Sequence, residues 1–313
     1  MEIKPTQIKW DQIPEGWMVQ PKYDGECNKL IIDRTHNQEA VAVNLQRFEG
    51  RSKTEFYPEI IEEATWRASG GRGIPALPDM VVVGEVCVLL DKYRASFPHI
   101  QLRMNTQNKA KQKLAMKDKL ATFVAFDIEE YKGENLDKEP YRDRYKILED
   151  IFPVLVSSAE LDFRIVTVSN TLTNHKSKLL KPQIKYGVSW KEFVKKHEME
   201  GLVVKNPDKP AEQFKLKNWD EDDFKIIGTE TTEAGEARGW FISKLTLEDT
   251  KGTHVDKGQQ FDCKYINYPQ TEQAKKDVIG KTAIIKYMKM KGRDGQYLAP
   301  RHPSLVEILE FEK

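Results

Sequence analysis

Val19-Gln20-Pro21-Lys22-Tyr23-Asp24-Gly25-Glu26-Cys27 is the stretch best equipped for covalent chemistry. A lysine stands at the margin of an extended run, with a carboxylate two residues on and a glycine after it. Strand alternation points Lys22 and Asp24 to one face. A lysine amine attacks an electrophile only after losing its proton, and desolvation or neighbouring cations favour that loss. Gly25 permits a tight turn and lets backbone approach a phosphate closely. The same letters also read as a surface strand ending in an Asp-Gly turn. Lys-x-Asp-Gly arises by chance in on the order of one lysine-rich sequence in ten, so the motif gains weight only from the segments downstream of it.

Four later segments carry groups that such a lysine needs. Arg47 precedes Gly50. Val83-Gly84-Glu85 puts an acid inside the apolar run 80–90, where a charge is costly unless it is paired or metal-bound. An edge position or a salt bridge would also satisfy Glu85. Phe126-Asp127 closes a second buried-type run, 121–128. Glu200-Gly201-Leu202-Val203-Val204-Lys205 is followed by Phe214-Lys215-Leu216-Lys217, which as a strand puts both lysines on one face. Singly, Phe126 reads as core and Lys205 as a solvated lysine.

The elements that must position these groups are strands first. Residues 29–33 and 40–45 read as a strand pair, 80–90 and 121–128 as buried strands, and 161–168 as a further strand. Residues 54–57 look like a helix entrance, with Ile60, Ile61 and Ala64 at helical spacing after it. Residues 141–152 have helical spacing and stop before Pro153, and 190–197 read as a short helix. The stretch 96–120 is polar. After an acidic, hinge-like segment at 218–223, short alternating runs at 224–228, 239–247, 260–266, 282–288 and 305–309 suggest a small β-barrel.

Composition narrows the class. A chain of 313 residues exceeds what one compact core usually holds, so two domains are expected;. The net charge of +1 provides no global basic field, and any nucleic-acid contact must come from local clusters;. Lys109, Lys111 and Lys113 form one such cluster, which a solvated helix face also explains. Cys27, Cys87 and Cys263 are far apart, which argues against zinc ribbons and disulfide frameworks. The start of the sequence has no apolar signal region, and no run reaches membrane-spanning length. A cytoplasmic monomer without a membrane partner is expected.

In this order the five segments resemble those of the covalent nucleotidyltransferases: DNA ligases, RNA ligases and capping enzymes. Within these the chain is most similar to ATP-dependent DNA ligases, particularly the compact ones of tailed bacteriophages. Gln20-Pro21-Lys22-Tyr23-Asp24-Gly25, Gln46-Arg47-Phe48-Glu49-Gly50 before Tyr57-Pro58-Glu59-Ile60, and the segment 294–305 with Arg301-His302-Pro303 carry that likeness. It implies an α+β fold, with a nucleotidyltransferase domain of ATP-grasp-like antiparallel sheets and helices over 1–220. An OB-fold β-barrel would follow over 221–313.

The resemblance also assigns roles. Lys22 would attack the α-phosphorus of ATP and hold AMP, with Asp24 and Lys217 as further catalytic residues. Gln20, Pro21, Arg47, Glu85, Phe126, Lys205, Lys215 and Lys217 would bind ATP, Phe126 stacking on adenine and Gln20 reading the base edge. Glu85 and Glu200 would hold Mg²⁺, and the motif lysines would depress the pKa of Lys22. Nicked duplex DNA would be the partner, its phosphates met by Lys109, Lys111, Lys113, Lys289, Lys291, Arg293 and Arg301. Two departures stand out. Cys27 occupies a position where the family has arginine, and a final Arg-x-Asp-Lys segment is missing, leaving Arg301, Lys291 or Arg293 to replace it. An RNA ligase or guanylyltransferase is the runner-up, and a non-catalytic nucleic-acid binder the reading from another class.

Overall fold

In the computed structural model the described residues are 6–7, 10, 13–14, 16–34, 42–48, 50–70, 75–105, 119–168, 190–209, 211–232, 242–249, 258, 260–265, 278–289 and 300–309. The chain forms two compact units, Met1–Asn218 and Trp219–Lys313.

The first unit is built on two sheets. Strands β1 (Thr6–Gln7), β2 (Met18–Lys22), β3 (Glu26–Asp33), β4 (Ala42–Arg47), β5 (Met80–Cys87), β6 (Thr122–Tyr131), β7 (Glu134–Asn135), β8 (Ile165–Thr167), β9 (Gly201–Lys205) and β10 (Gln213–Lys217) belong to it. One sheet runs β1-β10-β9-β2; the other runs β4-β3-β5-β6-β7, with β8 added to β6. Helices α1 (Pro58–Ala68), α2 (Phe97–Asn105), α3 (Tyr141–Ile151) and α4 (Trp190–Lys196) cover them.

Alternation explains which way each sheet faces. On the four-stranded sheet Val19, Leu202, Val204 and Leu216 pack with Trp190, Val194 and Met199. The alternate residues Gln20, Lys22, Val203 and Lys205 therefore line the opposite face;. Pro21 is tolerated because β2 is an edge strand, where a missing N–H leaves no ladder partner unsatisfied;. On the six-stranded sheet β3 buries every second residue. Leu30 and Ile32 enter a core with Leu45, Ile60, Ala64, Val82 and Val86, while Cys27 lies on the other side. Along β6 the pairing slips, so that Val83 faces Asp127 but Gly84 faces Ala125. Such a bulge re-aims the side chains next to it.

Some local expectations give way. The entrance at 54–57 is a separate 3₁₀ turn, Thr54–Phe56. Helix α1 starts at Pro58, whose fixed φ and missing N–H suit a first helical position;. The polar stretch after residue 96 contains α2, because Ile100 at 0 % exposure and Arg103 at 1 % bury one side of it. The strand expected at 161–168 shortens to β8 behind a 3₁₀ turn, Ser158–Asp162, capped by Ser157 and Glu160;.

The second unit is a closed barrel of β11 (Asp220–Thr232), β12 (Ile242–Glu248), β13 (Gln260–Tyr265), β15 (Arg301–Leu309) and β14 (Thr282–Met288), in that order around it. Phe224, Ile226, Leu245, Leu247, Phe261, Cys263, Ile285 and Tyr287 fill its interior. Phe224 meets both Phe261 and Tyr287 edge-on. The acidic segment read as a hinge is the start of β11. Asp220 to Asp223 pair with Tyr287 to Ile284, because ladder bonds depend on the backbone and the carboxylates remain at least partly open to solvent. Pro303 sits within β15 where the pairing with β14 slips and His302 takes a φ of 50°, the kind of irregular site a strand proline occupies. Among the described residues no helix is long and apolar enough to cross a membrane.

Candidate active site

Lys22 ends β2 directly opposite Gly201, and Lys217 lies opposite the same glycine from β10. One row of the sheet thus reads Lys22, Gly201, Lys217, and the next reads Gln20, Val203, Lys215. Gly201 is required by crowding, since a Cβ there would stand 2.0 Å from the Leu216 carbonyl oxygen. It also leaves no side chain between the two lysines. Glu200 immediately precedes the strand, and both its carboxylate oxygens lie 2.7 Å from Lys22 Nζ.

Gly25 is the second glycine that the site needs. A Cβ on it would fall 2.3 Å from the Val86 carbonyl oxygen, so only glycine lets the turn after β2 lie flat against β5. That contact brings Glu85 beside Lys22, with the Gly25 N–H donating to the Glu85 carboxylate. The strand ends at Lys22, yet Tyr23 still turns inward while Lys22 and Asp24 stay half-buried.

The electrostatics of Lys22 correct the sequence expectation. Burial works to lower its pKa, but Glu200, Glu85 and Asp24 outweigh that and hold it above the ordinary lysine value. Carboxylates surround it, so the ammonium is the favoured form. Glu85 moves the other way: burial, with Glu200 and Asp24 beside it, raises it to about 8 against the pull of Lys22.

A cavity of about 450 Å³ opens from this cluster, within the usual range for small-molecule sites;. Gln20, Pro21, Lys22, Glu85, Phe126 and Lys205 all line it. Lys205 is 5 % exposed, donates to the Phe126 carbonyl at 2.9 Å, and lies over the rings of Phe126 and Tyr141 at 4.8 and 4.1 Å. Burial lowers its pKa to about 8, although Asp127 opposes the shift. Gln20 donates to the Tyr141 hydroxyl at 2.6 Å, and that hydroxyl donates to the Phe126 carbonyl at 2.6 Å.

The remaining sequence candidates are spread over both units. Lys215 and Lys217 follow Gln213 at a spacing of two along β10; Gln213 lines the cavity, and neither lysine is among its lining residues. Arg47 is not among the cavity-lining residues; its Nε is 3.5 Å from Glu26 Oε1. Cys27 lines the cavity in place of an arginine. In the barrel, Lys289 Nζ is 3.9 Å from Asp220, and Arg301 opens β15 opposite Met288. Lys109, Lys111, Lys113, Lys291 and Arg293 lie outside the described residues.

Sequence reasoning gave no role to three groups. Glu26, 4 % exposed, collects Arg47, Lys53 and the Tyr57 hydroxyl. Tyr141 ties Gln20 to β6. Asp127 lines the cavity and is gripped by Arg144. An acid inside an apolar run was the available signal for Asp127, the same signal that marks Glu85.

Comparison with known proteins gives the family and the fold. The family model for the ATP dependent DNA ligase domain matches residues 5–220. The bifunctional non-homologous end joining protein LigD of Bacillus subtilis (strain 168) is 29 % identical over 160 residues, 51 % of this chain and 24 % of that protein. The chain thus matches about a quarter of that relative's length. Among solved structures, a Lig E DNA ligase studied for DNA binding with a minimal scaffold superposes with a TM-score of 0.55 at 15 % identity, over 98 % of this chain and 100 % of that one. A chain named Pmar-Lig_Pre gives a TM-score of 0.57 at 17 % identity, over 95 % of this chain and 64 % of the other. At such identities the structural likeness speaks for the fold.

Proposed function

The chain belongs to the family of ATP-dependent DNA ligase domains, and from that premise we propose that it seals 3′-hydroxyl/5′-phosphate nicks in duplex DNA through a covalent lysyl-AMP on Lys22. The observation that carries the reading is the meeting of Glu85 and Glu200 at Lys22, with Lys22 and Glu85 lining a cavity whose walls include Phe126 and Lys205. Lys22 Nζ forms a bond to the α-phosphorus of ATP as the bond to the β-phosphate oxygen breaks and pyrophosphate leaves. A 5′-phosphate oxygen at the nick then takes the AMP and restores the lysine. The 3′-hydroxyl finally displaces AMP and closes the phosphodiester bond.

The chain's own residues divide this work. Lys22 must first give up the proton that Glu200, Glu85 and Asp24 hold on it. Lys217, one row across Gly201, and Lys215 bring cations to the same face, where phosphate charge has to be balanced. Phe126 supplies the flat surface for the base. Asp24 belongs to the later steps, and Arg47, held by Glu26, to a ribose or phosphate contact.

Glu85 and Glu200 suit Mg²⁺, because two hard carboxylates with room for waters and phosphate oxygens are what that ion takes. The raised pKa of Glu85 marks a carboxylate for which a cation would be a favourable neighbour;. Among the described residues no group of three or more His, Cys, Asp or Glu forms a self-sufficient metal cage. When bound, Mg²⁺ supplies positive charge to the triphosphate.

On the same reading the first unit is the adenylation domain, expected over 1–220, and the closed barrel is an OB-fold covering 221–313. Lys289 and Arg301, with the lysines and arginine outside the described residues, would meet DNA phosphates. The test is to charge the protein with α-labelled ATP and Mg²⁺, remove free nucleotide and add nicked duplex, with Lys22→Ala alongside. Label that attaches through Lys22 and leaves as the nick closes supports the ligase. Label that attaches but never discharges on nicked DNA points to RNA ends instead.

A further inference from the structure

The slip in β6 turns two consecutive residues, Phe126 and Asp127, into the cavity, where a regular strand would present one of them;. An aromatic ring and a carboxylate therefore stand side by side on one wall. The carboxylate is fixed from behind. Arg144, whose side chain is 6 % exposed, donates from Nε to Oδ1 at 2.9 Å and from Nη2 to Oδ2 at 3.0 Å. Its Nη1 is held in turn by the Glu139 carbonyl at 3.1 Å.

Asp127 Oδ1 also accepts from the Ile128 N–H at 2.9 Å. Among the described residues Oδ2 accepts from Arg144 alone, and a carboxylate oxygen has room for a second donor;. The Asp127 side chain is 23 % exposed and lines the cavity. Gln20 lines the same cavity but is 1 % exposed, and its amide N–H is committed to the Tyr141 hydroxyl.

We propose that Asp127 is a specificity-determining residue, its Oδ2 accepting a hydrogen bond from the 6-amino group of an adenine laid against Phe126. The inference rests on the ligase reading and deepens it, moving base recognition from Gln20 to Asp127. Arg144 keeps the carboxylate from turning away, so the acceptor is preorganised. A 6-oxo purine in the same pose sets acceptor against acceptor. A site built to hydrogen-bond one group rejects an analogue lacking it far more strongly than an apolar pocket does.

The experiment measures single-turnover charging of the full chain with ATP and with inosine triphosphate, which carries a 6-oxo group on the same ring system. The wild type should charge about 10- to 100-fold more efficiently with ATP. Asp127→Asn, whose amide can offer an N–H to the 6-oxo group, should bring the two nucleotides close to parity. Because Arg144 is buried, Asp127→Asn/Arg144→Met is carried in parallel and its ratio read the same way, with thermal melts of both variants. Equal wild-type charging with the two nucleotides overturns the proposal. So does a folded variant that loses both in the same proportion, which would leave Asp127 as a counter-ion for Arg144. Absence of charging with either nucleotide in the wild type would fail the ligase reading itself, a result distinct from an unchanged ratio.

Discussion

Three carboxylates around one ammonium make Lys22 a stronger base than a free lysine, and the strain of that arrangement falls on Glu85. Glu85 is driven up to about 8, chiefly by burial. A carboxyl whose folded pKa exceeds its unfolded one binds a proton that the unfolded chain lacks. Its contribution to stability is therefore full below the unfolded value, ordinarily about 4.3, and is lost as pH rises through about 8;. Glu85→Gln removes the titration but keeps an acceptor for the Gly25 N–H. The variant should match the wild type near pH 4 and exceed it by on the order of 1–3 kcal/mol at pH 8 in urea unfolding, while losing metal-dependent charging. Coincident pH–stability curves would show that Glu85 is ionised without penalty. A gain in stability with a loss of activity is what a group retained for function rather than for folding predicts.

At the scale of elements, the site depends on two backbone contacts that only glycine permits. Gly201→Ala would put a methyl 2.0 Å from the Leu216 carbonyl oxygen, a backbone atom that cannot move without shifting β10. The expected result is a loss of about 1–3 kcal/mol in stability. Charging should slow by about 100-fold, since Lys22, Glu200 and Lys217 all refer to that register and small misplacements are costly in catalysis. Melting curves and label incorporation read the two effects separately; normal charging would mean that the lysine row tolerates displacement. Much of this layer was legible in the sequence. Acids and lysines embedded in apolar runs, and glycines beside Lys22 and Glu200, follow from local patterning. What could not be read was long-range. Gln20 meets Tyr141 across 121 residues and Lys22 meets Glu200 across 178. The sign of the Lys22 shift depended on which charges arrived nearest, and sequence order showed cations where the fold delivers carboxylates. The bulge that exposes Asp127 is a mismatch between two strands, invisible in either alone.

For the molecule as a whole, charge decides how it could hold DNA. With a net charge of +1 there is little long-range attraction, so affinity has to come from a few lysines and arginines set against phosphates. Each phosphate neutralised contributes about 0.9 to the slope of log affinity against log salt, through released counterions. Lys289 is exposed and Arg301 half-buried at the start of β15, and both are candidates for phosphate contacts. Binding of nicked duplex by the wild type should fall steeply with salt. Lys289→Glu/Arg301→Glu should bind more weakly with a slope shallower by about 1–2, measured by fluorescence anisotropy across a salt series. Parallel lines would remove these two residues from the interface. A flat wild-type line would go further, because a chain this close to neutral that binds a polyanion without releasing counterions is not gripping its backbone, and the nick-sealing reading would lose its partner.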